Sequence, residues 1–184
     1  MAAGTAAPLR AHTPVHWYAV YTRARHEKQV ERLLAERVAD TYLPLMPRVS
    51  RWSDRSRMVA WPLFPGYVFA RFAAAEHARI VEVPGVVCVV RHNGMITPIP
   101  VHELENVRRF VAALTGSPHP PEPTTLLGPG TLVEILTGPF AGVCGQVIAH
   151  PTARRVVVGL AALGQGFAIN VEQAAVRTLP DERP

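Results

Sequence analysis

Residues 62–69 read PLFPGYVF, and the run continues through Ala70, Arg71 and Phe72. A strand with one face on a core and the other in water alternates apolar with polar residues. Here Tyr67 and Phe69 point one way while Val68, Ala70 and Phe72 point the other. Both faces are apolar, so a sheet built on this strand needs a cover on each side.

Working outward, HWYAVYT at 16–22 is a second β run, with Trp17, Ala19 and Tyr21 on one of its faces. Val30, Leu33, Leu34 and Val38 follow helical spacing, which makes one amphipathic helix. Strands are expected at Thr41 to Leu45, Gly66 to Phe72 and Val86 to Val90, with a short helix from Glu76 to Val83 stopped by Pro84. A further helix opens after Pro100, places Leu104, Val107, Val111 and Leu114 on one stripe, and ends before Gly116. Helices packed on an antiparallel sheet give an α+β fold.

The texture then changes. TGSPHPPEPTT at 115–125 has four prolines between Pro118 and Pro123, the composition of a stiff, extended spacer. Beyond it GTLVEIL, GVCGQVIAH, RRVVVGL, GFAINVE and AAVRTL are five short β runs separated by glycines, the pattern of a small closed β-barrel. Glycines 138, 142, 145, 159, 164 and 166 would each cost a helix about 1 kcal/mol relative to alanine, which argues for strands here. The expected organisation is a loose tail at 1–14, an α+β domain at 15–114, a Pro-rich linker at 115–127 and the barrel at 128–180.

Charge is unevenly shared. Residues 1–114 carry 15 Lys and Arg against 9 Asp and Glu, a net +6, whereas residues 115–184 carry 4 against 5, a net −1. Arg23, Arg25, Lys28, Arg32, Arg37, Arg48, Arg51, Arg55 and Arg57 fall in one short region with Trp52 among them, as a phosphate-facing surface would have it. Eighteen arginines against a single lysine is also what a GC-rich genome produces, and exposed charges on a helix often only solvate it.

Several classes are disfavoured. No run approaches the roughly 20 apolar residues that span a bilayer, and the N-terminal stretch lacks the charged and apolar regions of a signal peptide, so a cytoplasmic protein without membrane contact is expected. Cys88 and Cys144 are isolated, which disfavours a zinc site or a disulfide framework and leaves two buried thiols as the expectation. There is no HExxH, GxGxxG or GxxxxGK[ST] pattern, and the pair His26–Glu27 at a helix start is more often a solvated terminus than an acid/base couple. Neither a metal, nor a cofactor, nor catalysis is expected.

WYAVYTRARHEKQVERLL, YLPLMPR, WPLFPGYVFARF and VPGVVCVVR together resemble the NGN domain of the NusG family of transcription elongation factors. LVEILTGPFAGVCGQV similarly resembles that family's KOW motif, carried on an SH3-like barrel, and the two occur in the family's order across residues 16 to about 180. LPL and PLFPGY look closer to the specialised RfaH-like antiterminators than to the general factor.

The resemblance implies a function and a set of residues. The NGN domain would bind the β′ clamp helices of RNA polymerase through Tyr21, Phe64, Pro65, Tyr67 and Phe69, suppressing pausing and termination. The gate loop of the β subunit would meet His77 and Arg79, although HAR does not reproduce the family's small polar triplet. The non-template DNA strand would meet Arg23, Arg25, His26 and Arg32. In the barrel, Phe140 on the TGPFAG turn would meet an S10-type ribosomal protein or Rho. Rival readings are a general NusG that modulates elongation and Rho termination, and a KOW-type RNA-binding protein of the translation apparatus. The near-neutral barrel disfavours the last.

Overall fold

The apolar run at the start of the first domain forms β1 (Val15–Thr22), the strand on which the first sheet is assembled. The computed structural model describes residues 13–52, 55–114, 121–125, 130–148, 155–170 and 176–180; the expected tail up to residue 12 and residues 115–120 and 126–127 of the expected linker lie outside these. After β1 come α1 (Glu27–Ala35), β2 (Asp40–Tyr42), β3 (Leu45–Trp52), β4 (Arg55–Pro62) and β5 (Tyr67–Ala73). The chain continues with α2 (His77–Val81), β6 (Val86–Val89), the two-residue strands β7 (Arg91–His92), β8 (Met95–Ile96) and β9 (Pro98–Ile99), and α3 (Val101–Leu114). The sheet runs β2-β5-β1-β6, antiparallel, with β9 also on β1.

The register answers which side chains share a face. Ala19 pairs with Phe69 and Tyr21 with Tyr67, whereas Tyr18 pairs with Ala70 and Val20 with Val68. On the second set lie Val30 and Leu34 of α1 and Ile80 of α2, which form one core with Tyr18, Val20, Val68, Ala70 and Phe72. The first set is covered from the other side. Trp17, Ala19 and Phe69 share a core with Leu104, Val107 and Phe110 of α3, and that core continues into the barrel through Val133, Ile135, Val156 and Phe167. Each fully buried side chain of this size is worth about 1.5–3 kcal/mol relative to exposure, so the second cover is as consequential as the first.

The barrel consists of β10 (Glu122–Thr125), β11 (Thr131–Ile135), β12 (Cys144–Ile148), β13 (Arg155–Leu160), β14 (Gln165–Asn170) and β15 (Val176–Thr178), ordered β10-β14-β13-β12-β11-β15. The five β runs of the sequence are β11 to β15. Glu122–Thr125, expected within the linker, is instead an edge strand paired with Gln165–Ala168. Gly145 lets β12 close on β13, because a Cβ there would sit 2.5 Å from Val156 Cγ1 and 2.6 Å from the Val157 carbonyl oxygen.

Other differences have physical reasons. The strand expected at Thr41–Leu45 is split between β2 and β3, and β3 with β4 forms a long hairpin that no apolar alternation announces. Arg91–Ile96 makes a second small hairpin, turning through Asn93 (φ 50°) and Gly94 (φ 80°), the positive-φ pair that suits a two-residue β-turn. Cys88 is exposed and Cys144 half-buried, neither being the expected buried thiol, since β6 is an edge strand and Cys144 opens β12 at the surface.

The turn before β5 is tied to α1. Gly66 has φ +83°, its N–H donates to Oε1 of the buried Glu27 at 2.8 Å, and its carbonyl accepts the Thr22 N–H at 2.8 Å. Replacing Glu27 by Ala should therefore lower the unfolding free energy by about 1.5–3 kcal/mol, read as a lower urea midpoint, while Glu27→Gln, which keeps an acceptor, should lose less. Equal midpoints for the wild type and Glu27→Ala would contradict this role.

Candidate functional site

The aromatic residues singled out by the sequence divide into an open set and a covered set. Tyr21 is 41% exposed, and its ring lies 5.3 Å from that of Tyr67, at 47° to it. Gly66 permits this because a Cβ there would come within 3.1 Å of the Tyr21 ring. Pro65 is exposed beside them, and Cys88 and Val87 of β6 continue the same open end of the sheet. Tyr67 is half-buried, and its hydroxyl pKa is pushed up, first by desolvation and then by the neighbouring Tyr21 and Cys88 groups.

Phe64 and Phe69 are not open. Phe69 is fully buried, flanked by Tyr42 and met edge-on by Phe64 at 5.8 Å. Phe64 in turn is covered by Phe167 of the barrel, ring centres 5.5 Å apart at 75°. The expectation of one exposed aromatic patch is thus corrected: Tyr21, Pro65 and Tyr67 face solvent at its margin, and the remainder lies beneath a second domain. Phe140 on its Gly-Pro turn is half-buried and stacks on Phe110 of α3, with centres at 5.6 Å and planes at 27°.

The joint between domains is built on α3. Leu104, Val107 and Leu114 are buried in the core shared by the two domains, and Phe110 meets Phe140 and Phe167 of the barrel. Beside that ring the Asn106 amide makes a reciprocal pair with one backbone residue: its Nδ2 donates to the Cys144 carbonyl at 2.6 Å and its Oδ1 accepts the Cys144 N–H at 2.7 Å. The β12–β13 ladder ends at Gln146 and Val157, so Asn106 pairs both groups of Cys144 where the partner strand no longer does. Arg109 donates to the Gly142 carbonyl at 3.4 Å, and the Ala161 N–H donates to Glu103 Oε2 at 3.2 Å. Sequence reasoning missed Asn106, Phe110 and Phe167. Phe110 could have been found, since it lies three residues beyond Val107 on the widened apolar face, but a lone asparagine gives no signal.

The basic residues lie on the β1–α1 turn, on α1 and on α2. Arg23, Arg25 and His26 occupy the β1–α1 turn, where Arg25 has φ 64° and His26 Nδ1 lies 3.0 Å from the Ala24 carbonyl oxygen. Arg23 and Arg25 are exposed, and so is Arg32 in the last turn of α1. Glu27, taken with His26 as a solvated helix start, is buried and structural. His77 opens α2 with Nε2 3.1 Å from Arg91 Nη2, and Arg79 pairs with Glu76 at 3.8 Å on the surface. Among the described residues no three His, Cys, Asp or Glu come together as a metal set, and no helix is long and apolar enough to cross a membrane.

Glu103 makes the joint sensitive to pH. Desolvation in the joint raises its pKa above the ordinary 4.5, opposed by the Ala161 N–H and by His102. An acid whose pKa is raised on docking favours the docked state when protonated, so docking is strongest below pH 4.5 and weakens as pH rises through the elevated value. A donor–acceptor dye pair across the joint should report looser docking on going from acid toward neutral pH, and Glu103→Gln should flatten that slope. A slope unchanged in Glu103→Gln would assign it to another group.

Comparison with known proteins agrees with this architecture. A family profile described as transcription termination factor nusG matches residues 15–108, just over half the chain. The transcription termination/antitermination protein NusG of Pseudomonas aeruginosa is 27% identical over 173 residues, covering 87% of this chain and 96% of the relative. Its counterpart in Thermus thermophilus is 23% identical over 180 residues, covering 88% and 97%. A solved structure described as domain interaction in Thermotoga maritima NusG shares the fold, with a TM-score of 0.51 at 20% identity over 91% of this chain and 98% of that one. On the profile and on both relatives, matched along nearly their full lengths, this chain belongs to the NusG family of transcription termination and antitermination factors.

Proposed function

We propose that this factor acts by binding RNA polymerase rather than by catalysis, and that the docked barrel holds it in a closed form. Tyr21, Phe64, Pro65, Tyr67 and Phe69 make the polymerase-facing surface, which takes the β′ clamp helices. Tyr21, Pro65 and Tyr67 give first contact, Phe64 joins when the barrel leaves, and Phe69 supports the Phe64 ring from below. Aromatic rings of this kind bring about 150–250 Å² each to a partner and are the usual anchors of a helix-binding surface.

One observation carries the closed form: the two residues proposed to meet different partners shield each other's domain. Phe64 lies under Phe167 of the barrel, and Phe140 of the barrel lies on Phe110 of α3. A polymerase site and a recruitment site for an S10-type ribosomal protein or Rho are therefore closed by one joint and released by one event. On polymerase, α2 with His77 and Arg79 is the proposed second contact, with the gate loop. Arg23, Arg25, His26 and Arg32 are proposed to lie along the non-template strand. Holding two polymerase elements at once favours the closed clamp by differential binding, which opposes pausing.

The test is affinity for a clamp-helix fragment, measured on the full chain. Because a closed protein binds with its intrinsic affinity divided down by the open fraction, Asn106→Ala, which removes the reciprocal pair, should tighten binding by about tenfold. Tyr21→Ala with Tyr67→Ala should weaken it in both backgrounds. Binding that ignores both changes would overturn the proposal.

A further inference from the structure

Where the base of the β3–β4 hairpin comes beside the barrel, the two leave a cleft of about 380 Å³. One wall is a face of the hairpin that carries Met46, Arg48 and Trp61, brought together because Met46 pairs with Trp61 and Arg48 lies two residues further along the same strand. The other wall is the barrel's edge strand β10 and its neighbour β14, which present Pro123, Thr125 and Gln165. The buried Leu63 and Phe167 lie deepest, and the Phe167 ring also meets Phe64, so the cleft borders the joint directly. Its lining is mainly apolar with a few neutral polar groups, and among the described lining residues Arg48 is the one charge. The Arg48 guanidinium lies 5.4 Å from the centre of the Trp61 ring, which is itself 40% exposed, and it is paired with no carboxylate among the described residues. Stacking orders such a guanidinium without neutralising it, and leaves N–H groups that can fork a carboxylate.

From these features we propose that the cleft is a binding site for a small planar monocarboxylate, an aromatic or similarly flat apolar acid, which clasps the barrel to the first domain. A space of this size with mainly apolar walls and a few convergent polar groups is what small-molecule sites offer, and domain joints are where they recur. The carboxylate takes Arg48, and the apolar body lies between Met46 and Trp61 on one side and Pro123 on the other. One cation matches one negative charge, so a polyphosphate is excluded by the cost of burying charges left unpaired. Because neither domain supplies the site alone, the ligand binds the docked arrangement and draws the joint shut by its own binding free energy. The effect on polymerase binding rests on the closed form proposed above, whereas binding of the anion does not.

The experiment follows backbone and indole N–H signals of the full chain by NMR while naphthoate, a naphthalene carboxylate, or its neutral amide is added. Naphthoate should bind with a Kd of about 1 mM or tighter, as its size allows. The Trp61 Nε1–H and the Gly166 N–H, which lie on different walls, should move along one saturation curve. The amide should bind about tenfold more weakly, and Arg48→Gln should cost naphthoate a similar factor with the urea midpoint unchanged. Thr125→Glu, at an exposed position of the barrel wall, should weaken naphthoate by like-charge repulsion. Arg37→Gln, the same loss of charge just past the end of α1, should leave the Kd within about twofold. The absence of a saturable shift, equal Kd values for acid and amide, or an unchanged Kd in Arg48→Gln would overturn the proposal. With naphthoate at about ten times its Kd, the clamp-helix fragment should bind about tenfold more weakly. Unchanged fragment affinity beside saturable naphthoate binding that depends on Arg48 would uphold the cleft and overturn instead the reading that the joint gates the clamp surface.

Discussion

A central strand that is apolar on both faces is the constraint from which the rest of this structure follows. β1 is paired along both edges, to β5 on one side and to β6 and β9 on the other, so its backbone is satisfied within the sheet. Its side chains are not. Tyr18 and Val20 need one cover, Trp17 and Ala19 another, and no single layer of helices supplies both. α1 and α2 take the first face completely. The second is left to one helix, α3, which is too narrow to cover the sheet from Trp17 to Tyr21.

The barrel makes up the difference. Its residues Phe167, Val133 and Ile135 extend the core that α3 begins, so two sequence-distant domains share one apolar interior. The joint combines non-directional burial, through Phe64 and Phe110, with directional bonds, through Asn106 to Cys144 and Ala161 to Glu103. Burial supplies most of the attraction, and the amide pair sets the register, because a polar side chain left unpaired in that position is costly. A surface held mainly by apolar contact is also one that another apolar partner can replace.

How much of this was legible follows from what periodicity can encode. The near-continuous apolar runs at Trp17–Thr22, Tyr67–Phe72 and in the barrel are buried on both faces, and the 3.6-period run at Val30–Val38 on one, so each leaves a pattern. The β3–β4 hairpin leaves none, because Arg57 and Met58, on its opposite faces, both meet water. Tyr21 and Tyr67 were legible as a pair, since alternation fixes the face and the FPGY turn fixes the neighbour. Which apolar surface meets which was not legible. Phe64, Phe110, Phe140 and Phe167 are apolar whether they face a partner or one another, and hydrophobic attraction carries no address. Asn106 is a single residue whose meaning depends on a backbone 38 positions away.

β10 has a consequence for how far the barrel can travel. Because Glu122 is already paired to β14, only the chain from Leu114 to Glu122 connects α3 to the barrel as a tether. Eight peptide units reach at most about 30 Å, so a released barrel stays within roughly one domain diameter of the surface it left. At such a separation the effective concentration of one domain for the other is on the order of millimolar. Re-closure is then intramolecular and competes with any weak partner, so only a partner that holds its own site above that local concentration keeps the two domains apart. In the proposed opening, the short tether would make the joint a threshold, passed by a stably engaged partner and not by a transient encounter.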